Sequence, residues 1–264
     1  KIIYGALGNN HSAALSSLGR IFTWGYNSYN NLGDGSTINR NTPTDITEYF
    51  SLSPEEKIIQ IALGGNHSSA LTSEGRVFTW GYNTSGQLGD RTNNFRSFPI
   101  EITKNFNLDE KDKIIQISLG TNHSSALSAN GRLFTWGRNF EFQLGDGTQL
   151  GKSSPVDITN NFNLDTEENI IQVSLGYNHS SAITNTGRVF TWGNNSSGQL
   201  GDGSTTSKKL PVDITDNFNL INEDKIIQVS LGDFYSSAIS FTGQVFTWGG
   251  NNYGQLGNGT KNYS

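Results

Sequence analysis

Short alternations of apolar and polar residues recur along this chain at one fixed interval. Within residues 57–112, Ile58-Ile59-Gln60-Ile61-Ala62-Leu63 is rich in β-branched side chains and sets Ile59, Ile61 and Leu63 on one face. Gly64-Gly65-Asn66 reads as a turn, and His67 to Thr72 as a second short strand. Ser73-Glu74-Gly75 is a tight turn whose glycine is free to take a positive φ. Arg76 to Trp80 is a third strand, with Phe78 and Trp80 on one face and Val77 and Thr79 on the other. A polar loop from Gly81 to about Ser97 leads to a fourth strand, Pro99 to Thr103, whose proline suits a strand start or an outer edge.

Trp24, Trp80, Trp136, Trp192 and Trp248 mark the same place in five copies, each 56 positions after the last. The pattern predicts an all-β array occupying residues 1–264 as one domain, with repeats 1–56, 57–112, 113–168, 169–224 and 225–264. The last copy stops before its proline-led strand, so the count is four complete units and three further strands. Four short antiparallel strands per unit describe a propeller blade; a stacked solenoid is the competing arrangement. Between units, a charged linker carries an apolar pair (Phe50/Leu52, Phe106/Leu108, Phe162/Leu164, Phe218/Leu220) expected to pin it against a neighbouring blade.

Composition changes this picture in a few places. Hydrophobic content is only 33%, so the core must lean on its 15 Phe, 9 Tyr and 5 Trp. No apolar run reaches membrane-spanning length, and no membrane contact is expected. The absence of cysteine removes disulfides, thiolate nucleophiles and sulfur-ligated zinc, and leaves the redox compartment open. A net charge of −5 speaks against a nucleic-acid partner, which needs a basic face. With no methionine and a start at Lys1, the chain is expected to be a mature or excised segment of a longer product.

The run G-x-N-H-S-S-A-L-x-x-x-G-R-V-F-T-W-G-x-N-x-x-G-Q-L-G-D-G, present in all five copies with small changes, resembles the regulator-of-chromosome-condensation repeat family. The resemblance covers essentially the whole chain and implies a β-propeller, usually of seven blades. This chain departs in having five units, an incomplete last one, and a tryptophan spacing that never varies. The array is therefore expected to be a piece of a longer propeller, an open arc or a smaller ring.

Little here points to catalysis. His11, His67, His123 and His179 share one repeat position, which the fifth copy fills with Tyr235. A metal-binding ring of imidazoles is one reading; a hydrogen bond within each blade that fixes a turn is the favoured one. Adjacent His and Ser point to opposite faces of a strand, so the pair cannot serve as base and nucleophile. The Gly-x-Leu-Gly-Asp-Gly run lacks the Lys-Ser/Thr and following helix of a phosphate cradle. Asp34, Asp90, Asp146 and Asp202 offer one carboxylate per loop, too few oxygens for calcium, and are expected to bond their own turns. No catalytic residue, metal or cofactor is assigned.

The copies differ most in the turn after strand one and the loop after strand three, which alternating strands bring to the same end of a blade. One rim thus carries Tyr26, Tyr82, Arg138, Phe140, Glu141, Phe142, Tyr177, Asp233, Phe234, Tyr235 and Tyr253, types that dominate interface hot spots. The opposite rim carries acidic linkers such as Glu55-Glu56 and Glu167-Glu168, expected to be solubilising. The function expected is a non-enzymatic binding module for a protein partner of unknown identity. The resemblance adds guanine-nucleotide exchange on a small GTPase, the founding member's activity, and enzyme inhibition, since a secreted β-lactamase inhibitor resembles the family. A structural array in a larger secreted or surface protein is the remaining reading, and the incomplete fifth unit leaves room for self-association.

Overall fold

The computed structural model describes residues 1–221 and 223–263. Ser264, which ends the fifth unit, lies outside them. Four antiparallel sheets of four strands and one of three follow one another, each strand pairing with its sequence neighbour. Blade two is built from Ile58–Leu63, His67–Thr72, Val77–Gly81 and Arg96–Glu101, and is followed by a 3-10 turn, Thr103–Phe106. The first strands of successive blades adjoin around a common axis, so the array is a propeller rather than a straight stack.

Two local expectations are corrected. Ile58, Ile61 and Leu63 are buried while Ile59 is exposed, so Ile59 does not share their face. A register shift between Ile58 and Gln60 inserts one residue and inverts the alternation at the strand's start. The fourth strand begins at Arg96 and holds Pro99 within it. That strand pairs only with strand three, so it is the outer edge, where a missing N–H costs no ladder bond.

Each core lies between two blades. Leu15, Ile21, Ile46 and Phe50 of blade one pack against Ile58, Ile61, Phe78 and Trp80 of blade two, and the same arrangement recurs at three more interfaces. The linker phenylalanine is the pin: Phe106 meets Phe134 edge-on at 5.2 Å and Trp136 at 5.7 Å, both on the next blade. Burying each such ring contributes about 2–3 kcal/mol. A blade folded alone would expose both of its faces.

The two outer faces find no such cover. Ile2 is 53% exposed where its counterpart Ile58 is 2% exposed, and Val245 is 68% exposed where Val77 is fully buried. Among the described residues blades one and five therefore do not pack on each other, and these five sheets form an open arc.

Candidate functional site

The rim exists because successive turns are tied to one another. The N–H of Tyr26, Tyr82, Arg138, Asn194 and Gly250 donates to the carbonyl of Asn10, Asn66, Asn122, Asn178 and Phe234 respectively, at 2.7–2.9 Å. Each bond joins the residue after strand three to the turn after strand one, and sets both variable segments at the same end of the blade.

The structure gathers the rim residues into separate groups. Tyr29 stands between Tyr26 and Tyr82, with ring centres 5.8 and 5.0 Å away, and Phe95 closes the cluster at 5.0 Å from Tyr82. On blade three, the Arg138 guanidinium lies 5.3 Å from the ring centre of the exposed Phe140. Glu141 accepts a hydrogen bond from Asn194 of blade four, at 3.0 Å. Tyr177 and Phe234 meet at 5.5 Å across blades four and five, beside the exposed Asp233. Tyr253, 91% exposed, stands apart from all of these.

Tyr29 and Phe95 are rim residues that the sequence reading missed. Elsewhere in the first four copies these rows hold small or polar residues, Ser85, Glu141 and Ser197 in one and Asn39, Gly151 and Ser207 in the other, while the fifth copy is again aromatic with Tyr253 and Tyr263. Row-by-row comparison of the loops carries that signal. Phe142 has φ of +63°, in the row where Gly86, Gly198 and Gly254 take 74–80°. An aromatic residue there is strained by about 1–2 kcal/mol.

The histidines are bonded between blades, not within them as expected. Nε2 of His11, His67, His123 and His179 lies 2.9–3.1 Å from Oγ of Ser68, Ser124, Ser180 and Ser236, each on the following blade. Those hydroxyls donate to the carbonyls of Asn31, Gln87, Gln143 and Gln199. The serine oxygen is therefore the acceptor for the histidine, whose Nε2 carries a proton. Burial pushes the ring pKa of His67, His123 and His179 down to about 3 and that of His11 to about 4. A serine that already donates to a carbonyl in a closed interface is no nucleophile. Tyr235 fills the fifth place in this row, half-buried, with its ring against Gly232.

The loop carboxylates do close their own turns: Asp90 accepts from the N–H and hydroxyl of Thr92 and from Asn83. The acidic linkers are not all solvated. Glu56 and Glu168 are buried and paired with Arg76 and Arg188 at 2.9 and 2.8 Å. Burial alone would raise the Glu168 carboxyl, but hydrogen bonds from Thr184, Thr186, the Asp165 backbone and Arg188 outweigh it and hold it at about 2. Among the described residues no three His, Asp or Glu side chains converge on a cation position.

Comparison with known proteins agrees with this geometry. The RCC1-like domain family matches residues 47–264, and regulator of chromosome condensation (RCC1) repeats match residues 19–71 and 2–31. The human E3 ubiquitin-protein ligase HERC2 is 32% identical over 257 residues, covering 96% of this chain and 5% of the ligase. The Arabidopsis thaliana ultraviolet-B receptor UVR8 is 33% identical over 208 residues, covering 78% of this chain and 44% of the receptor. The chain thus spans less than half of either relative. Among solved structures, yeast RCC1 (Prp20) bound to Kap60 superposes with a TM-score of 0.77 at 27% identity, covering 94% of this chain and 56% of that one. Human WBSCR16 superposes at 0.84 over 100% of this chain and 65% of that one; at 24% identity it speaks to the fold alone. With its repeated sequence, its blades and these matches, the chain belongs to the RCC1-like domain family of β-propellers.

Proposed function

We propose that this array is a non-enzymatic protein-binding module and that its aromatic rim is the docking surface. The observation that carries the reading is the Tyr26–Tyr29–Tyr82–Phe95 cluster, contributed by two adjoining blades and part-exposed at one end of the arc. Rings already packed on one another lose little freedom when a partner arrives, so a few anchors can supply affinity. A photo-crosslinking residue placed at Phe95 or Phe140, and at Lys111 on the opposite rim, tests this in the source cells. Protein adducts from the first two positions and none from Lys111 are expected; equal yields from all three would refute the reading.

A second reading is guanine-nucleotide exchange on a small GTPase. It is favoured by the 27% identity to yeast Prp20, whose structure is reported with its binding properties to Gsp1p and histones. An exchange factor needs no catalytic triad, only preferential binding of the nucleotide-free state. Release of labelled GDP from a panel of small GTPases decides it, and no acceleration would remove the reading.

A further inference from the structure

The rim is assembled from one contact that recurs between neighbouring blades. The residue that follows strand three of blades two to five (Tyr82, Arg138, Asn194 or Gly250) stands opposite a loop residue of the blade before it, in the row Tyr29, Ser85, Glu141 and Ser197. Between blades one and two, the rings of Tyr29 and Tyr82 meet at 5.0 Å. Between blades three and four, Glu141 Oε2 accepts from Asn194 Nδ2 at 3.0 Å. Between blades four and five, Ser197 Cβ lies 3.6 Å from where a side chain on Gly250 would begin. Ring meets ring, acid meets amide, and a small residue meets glycine.

Between blades two and three the same row sets Arg138 against Ser85, which brings neither a ring nor a negative charge. The Arg138 Nε is shut off from solvent and bonded to nothing among the described residues. Arg20, Arg40, Arg76, Arg96, Arg132 and Arg188, by contrast, each meet a carboxylate. Glu141, on the same loop as Arg138, is turned to Asn194 instead. A guanidinium held this way lacks both an acceptor for Nε and a counter-charge, and a carboxylate from another molecule supplies both.

The side chain is held at both ends. The Arg138 backbone N–H donates to the Asn122 carbonyl at 2.9 Å, and the guanidinium lies 5.3 Å from the ring centre of Phe140. The Phe140 carbonyl accepts from Gln149 Nε2 at 3.0 Å, and the Glu141 N–H donates to Gln143 Oε1 at 2.9 Å, so the loop under the ring is tied down. Phe140 is 65% exposed. An arginine resting on a ring keeps the edge of its fork open to two parallel bonds in the guanidinium plane, the geometry of a carboxylate.

We propose that Arg138 is the anchor for an aspartate or glutamate side chain of the protein partner, with Phe140 covering an apolar residue beside that acid. This role rests on the rim being the docking surface. One isolated guanidinium suits one carboxylate; a nucleic-acid backbone needs a basic face, which a net charge of −5 does not offer.

A displayed library of random short peptides, selected on the 264-residue chain, supplies the probe. Enriched peptides are expected to carry Asp or Glu at one place beside an apolar residue. Changing that acid to its amide should weaken binding about tenfold in fluorescence anisotropy, the low end for a close charge pair. Arg138→Asn, which puts in the residue that blade four carries and so should not disturb folding, is expected to erase that difference. Arg138→Glu should select Lys or Arg in place of the acid. No enriched peptide, enrichment without an acid, or an acid preference that survives Arg138→Asn would each overturn the proposal. So would a phosphoserine peptide that outbinds its acid counterpart by more than about tenfold, which would assign Arg138 to a phosphate. Crosslinking separates this from the rim reading: adducts at Phe140 that Arg138→Asn leaves unchanged refute the anchor alone, whereas yields at Phe95 and Phe140 equal to those at Lys111 refute the rim itself.

Discussion

Nε2 of His67 in blade two lies 2.9 Å from Oγ of Ser124 in blade three, and the same Ser124 hydroxyl donates to the Gln87 carbonyl of blade two. That carbonyl also accepts from Trp136 Nε1 of blade three, at 2.9 Å. One histidine, one serine, one tryptophan and one carbonyl thus form a dry polar latch between blades, next to an aromatic core. Because all its members are buried, losing one leaves others unpaired where water cannot replace them.

His67→Ala is therefore expected to cost about 2–3 kcal/mol, from the lost bond and the space left behind. Urea denaturation followed by circular dichroism checks this. An unchanged midpoint would mean the latch contributes nothing to interface stability.

Acid should weaken the array before its carboxylates titrate. The four histidines stay neutral in the fold to about 4 for His11 and about 3 for the other three, whereas the unfolded chain takes protons below about 6.5. The unfolded state then holds more protons, so stability falls as pH drops from about 6.5 and the decline from this source ends below about 3. Each histidine adds a slope of up to about 1.4 kcal/mol per pH unit in that window and none above it. Unfolding midpoints at several pH values, for the native chain and for His67→Gln/His123→Gln, should show a shallower decline in the variant.

The arginine ion pairs should rank by burial. Arg76→Ala strands the buried Glu56 carboxylate and is expected to cost about 3 kcal/mol, whereas Arg20→Ala breaks a more exposed pair with Asp45 and should cost under about 1 kcal/mol. Parallel thermal melts of the two variants decide the ranking. Equal losses would contradict it.

Phe142 offers a way to separate stability from binding. With φ at +63°, it should be outperformed in stability by Phe142→Gly, which removes the strained Cβ, and Phe142→Gly should exceed Phe142→Ala by about 1 kcal/mol. If the rim binds a partner as proposed, the glycine variant will be as stable as the native chain or more so and yet lose crosslinking at Phe140.

The 56-residue step, the four-strand unit, the pairing of Phe78 with Trp80 on one face and the pinning role of Phe106 were all legible in the residues alone. They follow from backbone alternation and from a motif repeated in one chain, both of which are local. The inverted face of Ile58–Leu63 was not legible, because it depends on a bulge that only strand pairing creates. Nor was the reach of His67 to Ser124, or the burial of Glu56 beneath Arg76, since each joins residues far apart in the chain. How successive blades adjoin around a common axis was also left to the tertiary structure, because it rests on packing between sheets and no periodicity along a single strand encodes it.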